Sequence, residues 1–127
     1  KKSLEHNPNN TKTLNNYSYY LSIEKEDLDR AENMIKLCLE ITPYSSTVLD
    51  TYAWILFQQG YFNLAKKQIE KAISIENDNA TITEHYGDIL FKTGETEEAI
   101  EIWKKAIELG GKSEILIKKI TKKEYFE

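Results

Sequence analysis

The chain has 127 residues, 40% hydrophobic and 30% charged, which suits one folded domain with a continuous core and argues against disorder. Few glycines and prolines, with Leu, Ile, Ala, Lys and Glu dominant, favour helix over a sandwich or barrel. A formal charge of -4, with lysines scattered among glutamates, offers no basic face to a phosphate backbone, so no nucleic acid is expected as a partner.

In chain order, the opening "KKSLEHNPNN" has neither an initiator Met nor the apolar stretch of a signal peptide. Ser3, Leu4 and Pro8 read as the close of a helix that begins upstream, so residues 1–10 are expected to be the end of a truncated unit. "LNNYSYYLSIEKEDLDRAENMIKLCLEITP" then reads as two amphipathic helices split by a polar turn. The next unit opens with "YAWILFQQG" (52–60) and the one after it with "YGDILFKTG" (86–94). Tyr, Ile, Leu, Phe and Gly coincide at a spacing of 34 (86 − 52, 94 − 60), as do Ala65 with Ala99 and Ala72 with Ala106. Ala31 and Cys38 keep that spacing one unit earlier, whereas Tyr17 and Leu21 stand 35 before Tyr52 and Leu56. One extra residue must therefore lie in the turn between Leu21 and Ala31. Gly110, Gly111 and Ser113 read as a helix stop and restart. Finally, "SEILIKKITKKEYFE" sets Ile115, Leu116, Ile117, Ile120 and Phe126 against Lys118, Lys119, Lys122 and Lys123, a capping helix with one strongly solvated side.

Residues seven apart on a helix lie almost on one stripe. The alanines at 99 and 106 thus face a common neighbour, and their missing side chains let two helix backbones approach closely. Small residues recur at Ser18, Ala53 and Gly87, at Ala31, Ala65 and Ala99, and at Cys38, Ala72 and Ala106. Bulky ones recur at Leu14 and Leu49, at Tyr17, Tyr52 and Tyr86, at Leu21, Leu56 and Leu90, and at Ile35, Ile69 and Trp103. On these residues the chain resembles the tetratricopeptide repeat family. It departs from that pattern where Asn77 and Gly111 replace the closing proline kept at Pro8 and Pro43, and at Thr83 and Thr96.

The resemblance implies an all-α fold, an α-solenoid of antiparallel helix hairpins in a right-handed superhelix. Its units would be 11–45, 46–79 and 80–111, flanked by the truncated end at 1–10 and a capping helix at 112–127. It further suggests the C-terminal portion of a longer bacterial repeat protein, cytoplasmic or exported and envelope-associated according to residues upstream. In this family the first helices line a concave groove. The matching positions are Lys12, Asn15, Tyr19 and Ser22, then Asp50, Trp54, Phe57 and Gln58, then Glu84, His85, Asp88, Phe91 and Lys92. The candidate partner-binding residues are Asn15, Tyr19, Asp50, Trp54, Phe57, Glu84, His85, Asp88, Phe91 and Lys92. Tyr52, Ala53, Ile55 and Leu56 already supply the seam of their helix, so Trp54 is expected as an exposed anchor, with Phe57 beside it.

The expected function is non-catalytic: the groove binds a peptide or protein segment, basic or neutral with apolar anchors, given the carboxylates at 50, 84 and 88. The family's clamp for chaperone C-terminal carboxylates is excluded, because the positions it needs carry Asn15, Tyr19, Thr51, Thr81 and His85 and lack its cationic pair. The alternative is a scaffold segment of a longer solenoid, with self-association through a bare N-terminal stacking face.

No chemistry competes with this reading. His85 beside Asp88 or Glu84 lacks a nucleophile and reads as a solvated or groove-wall histidine. Trp103 and Cys38 read as core, and Asp27 with Asp29 lacks the remaining spacing of a calcium loop. No cofactor or metal is expected, since a lone cysteine builds neither a disulfide within the chain nor a thiolate cluster. No apolar run approaches the roughly 18 to 20 residues that span a bilayer, so direct membrane insertion by these residues is not expected.

Overall fold

The computed structural model describes residues 8–111 and 114–125, with side chains from residue 12 onward. Among these residues there are seven helices and no strand. They are α1 (Pro8–Glu24), α2 (Leu28–Ile41), α3 (Ser46–Gln59), α4 (Phe62–Ile75), α5 (Ala80–Lys92), α6 (Thr96–Glu108) and α7 (Glu114–Lys122). Residues 8–10, expected to close a preceding unit, instead form the first turn of α1. Pro8 is tolerated there because the first turn of a helix has no internal acceptor for its missing N–H. Ser3, Leu4, His6, Ser113 and Phe126 lie outside the described residues.

Helices α1 and α2, α3 and α4, and α5 and α6 pack as pairs across short turns, giving three antiparallel hairpins, while α1, α3 and α5 also pack side by side. Gly60 (φ 89) and Gly94 (φ 91) take the left-handed conformation that ends a first helix. In each turn the following N–H returns to the helix: Tyr61 to the Leu56 carbonyl and Glu95 to that of Leu90, both at 2.9 Å. In the first hairpin Lys25 (φ 58) stands in the place of Gly60, and Asp27 (φ 48) is a second left-handed residue before α2. The extra residue read from the 35-residue offset is accommodated in this turn. Between hairpins, the Ser45 hydroxyl accepts from Val48 N–H at 3.3 Å and the Asn79 side-chain Oδ1 accepts from Ile82 N–H at 3.0 Å, capping α3 and α5.

The small residues sit where two helices cross: Ala31, Ala65, Ala99, Cys38, Ala72 and Ala106 are all fully buried. Each first helix has two apolar stripes. Leu49, Ala53 and Leu56 of α3 face their own partner α4, in a cluster with Ala65, Ile69 and Ala72. Val48 and Ile55, seven apart, point back to the preceding hairpin and pack with Ala31, Ile35 and Cys38. Ile55 therefore belongs to the interface between hairpins and not to its own hairpin, as the sequence pattern had suggested. Ile82 and Ile89, 34 residues on, repeat this contact against the second hairpin. Leu116, a further 34 past Ile82 (116 − 82), buries itself against Ala99, Trp103 and Ala106. Helix α7 thus occupies the place that a fourth first helix would take, and closes the apolar face of the third hairpin.

Candidate partner-binding groove

The first helices present the side opposite their second-helix partners, and α7 stands at the end of their row. Along this row lies a pocket of ≈ 500 Å³ lined by Tyr19 and Ile23 of α1, Lys25 of the turn after it, Trp54 and Gln58 of α3, Thr81, Glu84, His85 and Asp88 of α5, and Ile115, Lys119 and Tyr125 at the C-terminal end. A smaller, polar pocket continues it toward Asn15, Tyr19, Asp50, Thr51 and Asn79.

Trp54 is on this side of α3, yet it is only 7% exposed and is not a free anchor. Its indole is sandwiched between the rings of Phe57 (centroids 4.4 Å apart) and His85 (4.1 Å), one from its own helix and one from α5. Stacking between neighbouring first helices consumes its surface. Phe57 is likewise buried, edge-on to Phe62 and Tyr125. Phe91 turns away from the pocket and stacks on Trp103 at 5.8 Å. Lys92 stays exposed, with its ammonium 5.1 Å from the Tyr125 ring. What the pocket shows to solvent is the half-buried set of Tyr19, Gln58, Glu84 and Tyr125, together with exposed Ile23, Lys25, Thr81 and Ile115.

The polar floor is a ladder of acid–base pairs between successive first helices. Asp50 Oδ1 of α3 lies 2.8 Å from His85 Nδ1 of α5, 35 residues on. Glu84 Oε2 of α5 accepts from Lys119 Nζ of α7 at 2.9 Å, again 35 residues on. Lys119 also donates to Asp88 Oδ1 at 2.7 Å, and that oxygen accepts the Trp103 indole N–H at 3.0 Å. His85, expected as a solvated or groove-wall histidine, lines the pocket but is buried and bound to a residue of the preceding unit. Lys119, expected on the solvated side of the cap, is 3% exposed. Burial pushes the His85 imidazolium down, but Asp50, Asp88 and Glu84 together outweigh it and hold its pKa above the ordinary value. Burial pushes the Asp88 carboxyl up to about 6, more than Lys119 draws it down. The Tyr19 hydroxyl is pushed up to about 12, by burial first and then by Asp50, Glu84 and Asp88. The groove therefore sets the carboxylates of Asp50, Glu84 and Asp88 against Lys25, His85 and Lys119, with aromatic rings at its rim.

Sequence reasoning missed Ile23, Lys25, Thr81 and Ile115 of the lining, and with them Lys119 and Tyr125. Lys119 was within reach: it stands 34 past His85 (119 − 85), so carrying the register one unit further puts it on the inner face. Tyr125 was not, because it stands 34 past Phe91 (125 − 91) but meets Phe57, one unit earlier still.

The family signature described as Tetratricopeptide repeat matches residues 47–79 and 84–109, the second and third hairpins. The chain is a tetratricopeptide repeat protein. Its fold is similar to that of the first such domain of human RPAP3 (TM-score 0.80, 16% identity, covering 89% of this chain and 88% of that one). It is similar as well to the Sgt2 domain of Aspergillus fumigatus (TM-score 0.79, 18% identity, 89% and 76%). A third similar structure is the first domain of Spaghetti (RPAP3) bound to the HSP90 peptide SRMEEVD (TM-score 0.79, 16% identity, 89% of each chain). No curated protein sequence matches the chain. As in the family pattern, the first helices of this tetratricopeptide array carry the inner face and the second helices the outer one.

Proposed function

We propose that this tetratricopeptide domain is a protein-interaction module whose concave pocket receives a neutral or basic segment of a partner protein. The reading rests on one observation: an open pocket of ≈ 500 Å³ in which rings of Tyr19, Trp54 and Tyr125 surround the carboxylates of Glu84 and Asp88. Such a site desolvates an apolar anchor, and half-buried Glu84 keeps a carboxylate at its surface. The Spaghetti domain binds SRMEEVD. This groove differs in charge, since the two glutamates and terminal carboxylate of that peptide would approach Asp50, Glu84 and Asp88, so calorimetry with SRMEEVD is expected to give no binding. Affinity capture with the full chain and with the variant Thr81→Arg/Gln58→Arg tests the site directly. Both side chains line the pocket and neither is in the core, so helicity should be unchanged and the partner lost. A partner retained by that variant would show that the groove is not the binding face, and would favour the scaffold reading.

A further inference from the structure

The pocket already holds part of its own chain. Leu116 and Ile120 cover the third hairpin, which is the packing duty of a cap. Tyr125, past the end of α7, packs instead against the cluster that holds Trp54 and Phe57. Lys123 takes a left-handed conformation (φ 55) without being glycine, and the Glu124 N–H closes the turn on the Lys119 carbonyl at 3.2 Å. The chain is thereby sent back over the groove, where the Tyr125 ring meets Phe57 edge-on with centroids 5.5 Å apart. Two ammonium groups, Lys92 and Lys119, each lie 5.1 Å from the Tyr125 centroid. Lys119 itself is inserted between Glu84 and Asp88. Buried lysine on the acidic floor, aromatic ring on the aromatic rim: this is the arrangement that the partner-binding reading asks of a ligand.

We propose that the stretch Lys119 to Tyr125 is a ligand tethered to the groove, and that a partner segment carrying an aromatic ring displaces Tyr125 to bind. The inference rests on the reading of the groove as a partner site. Lys119 is the permanent part, nearly sealed from water. Tyr125 is the releasable part: it is half-buried, lies outside the helix, and its ring rests on the surface of the core against Phe57 and beneath Lys92 and Lys119.

The probe is the synthetic peptide KKITKKEYFE, residues 118–127 of the chain, labelled and titrated by fluorescence anisotropy into four proteins, each of residues 1–127. A site closed by its own tail for about nine-tenths of the time binds about tenfold more weakly than the open site. Tyr125→Ala is therefore expected to bind the peptide about tenfold more tightly than the unaltered chain. Tyr125→Phe, which keeps the ring, should match the unaltered chain, and Gln58→Arg placed in the Tyr125→Ala background should abolish binding. Circular dichroism checks that helicity is equal in all four. Equal affinities for the unaltered chain and Tyr125→Ala, or no binding to Tyr125→Ala, overturn the proposal. Partner capture that still depends on Gln58 alongside equal peptide affinities overturns the tethered ligand alone, because the groove would remain the partner site.

Discussion

At the scale of single residues, the third hairpin trades volume between two positions. The second hairpin sets Ala53 against Ile69; the third sets Gly87 against Trp103, each 34 residues on. A Cβ added at Gly87 would collide with the Trp103 indole, so glycine is required there by the larger ring and not by backbone conformation. Gly87→Ala is expected to destabilise the fold by about 1 to 3 kcal/mol through overpacking. The double variant Gly87→Ala/Trp103→Ile, which recreates the pair of the second hairpin, should recover part of that loss in urea melts, after allowance for the hydrogen bond from Trp103 to Asp88. Trp54 carries a revised expectation. Its stacking on Phe57 and His85 makes Trp54→Ala a cavity-forming change, with a cost of about 3 to 5 kcal/mol in place of the small one its sequence position suggested.

At the scale of elements, α7 is docked by a hydrophobic contact and one buried ion pair. Lys119→Ala would leave Asp88 desolvated without its cation, and removing one partner of a buried pair costs about 3 to 5 kcal/mol. Hydrogen exchange should register this as lost protection confined mainly to α7 and the facing turn of α5. The triple change Lys119→Met/Glu84→Gln/Asp88→Asn removes the charges together and is expected to restore most of the protection. Wild-type protection in Lys119→Ala would mean that Leu116 and Ile120 hold the helix unaided.

At the scale of the whole molecule, the ladder Asp50–His85 and Glu84–Lys119 links three successive first helices, so its titration reports on the stacked array. His85 has a folded pKa above its ordinary 6.5, so its contribution is complete below 6.5 and is lost as pH rises through the folded value. Asp88 has a folded pKa of about 6 against an ordinary 3.8, so the folded state gains as pH falls through about 6 and the gain is complete below 3.8. The two have the same sign, and the melting temperature is expected to fall by a few degrees between pH 5 and 8. His85→Gln should flatten the part of the profile above 6.5, and Asp88→Asn the part below 6. A melting temperature that rises across this range would mean that the ladder does not set the balance.

The recurrence of Ala, Tyr, Leu and Ile at a spacing of 34 was enough, by itself, to determine the hairpins, their crossing points and the extra residue in the first turn. Those features depend on which face of a helix a residue occupies, and helical periodicity converts that directly into sequence spacing. The inner face was legible as a set of positions for the same reason. What only the tertiary structure decided was how those positions are used: Trp54 covered by His85, Lys119 drawn into the acidic floor, Tyr125 returned onto Phe57. Each of these is a contact across separate helices, governed by the offset between stacked units and by one left-handed turn at Lys123, and no pattern within a single helix encodes that offset.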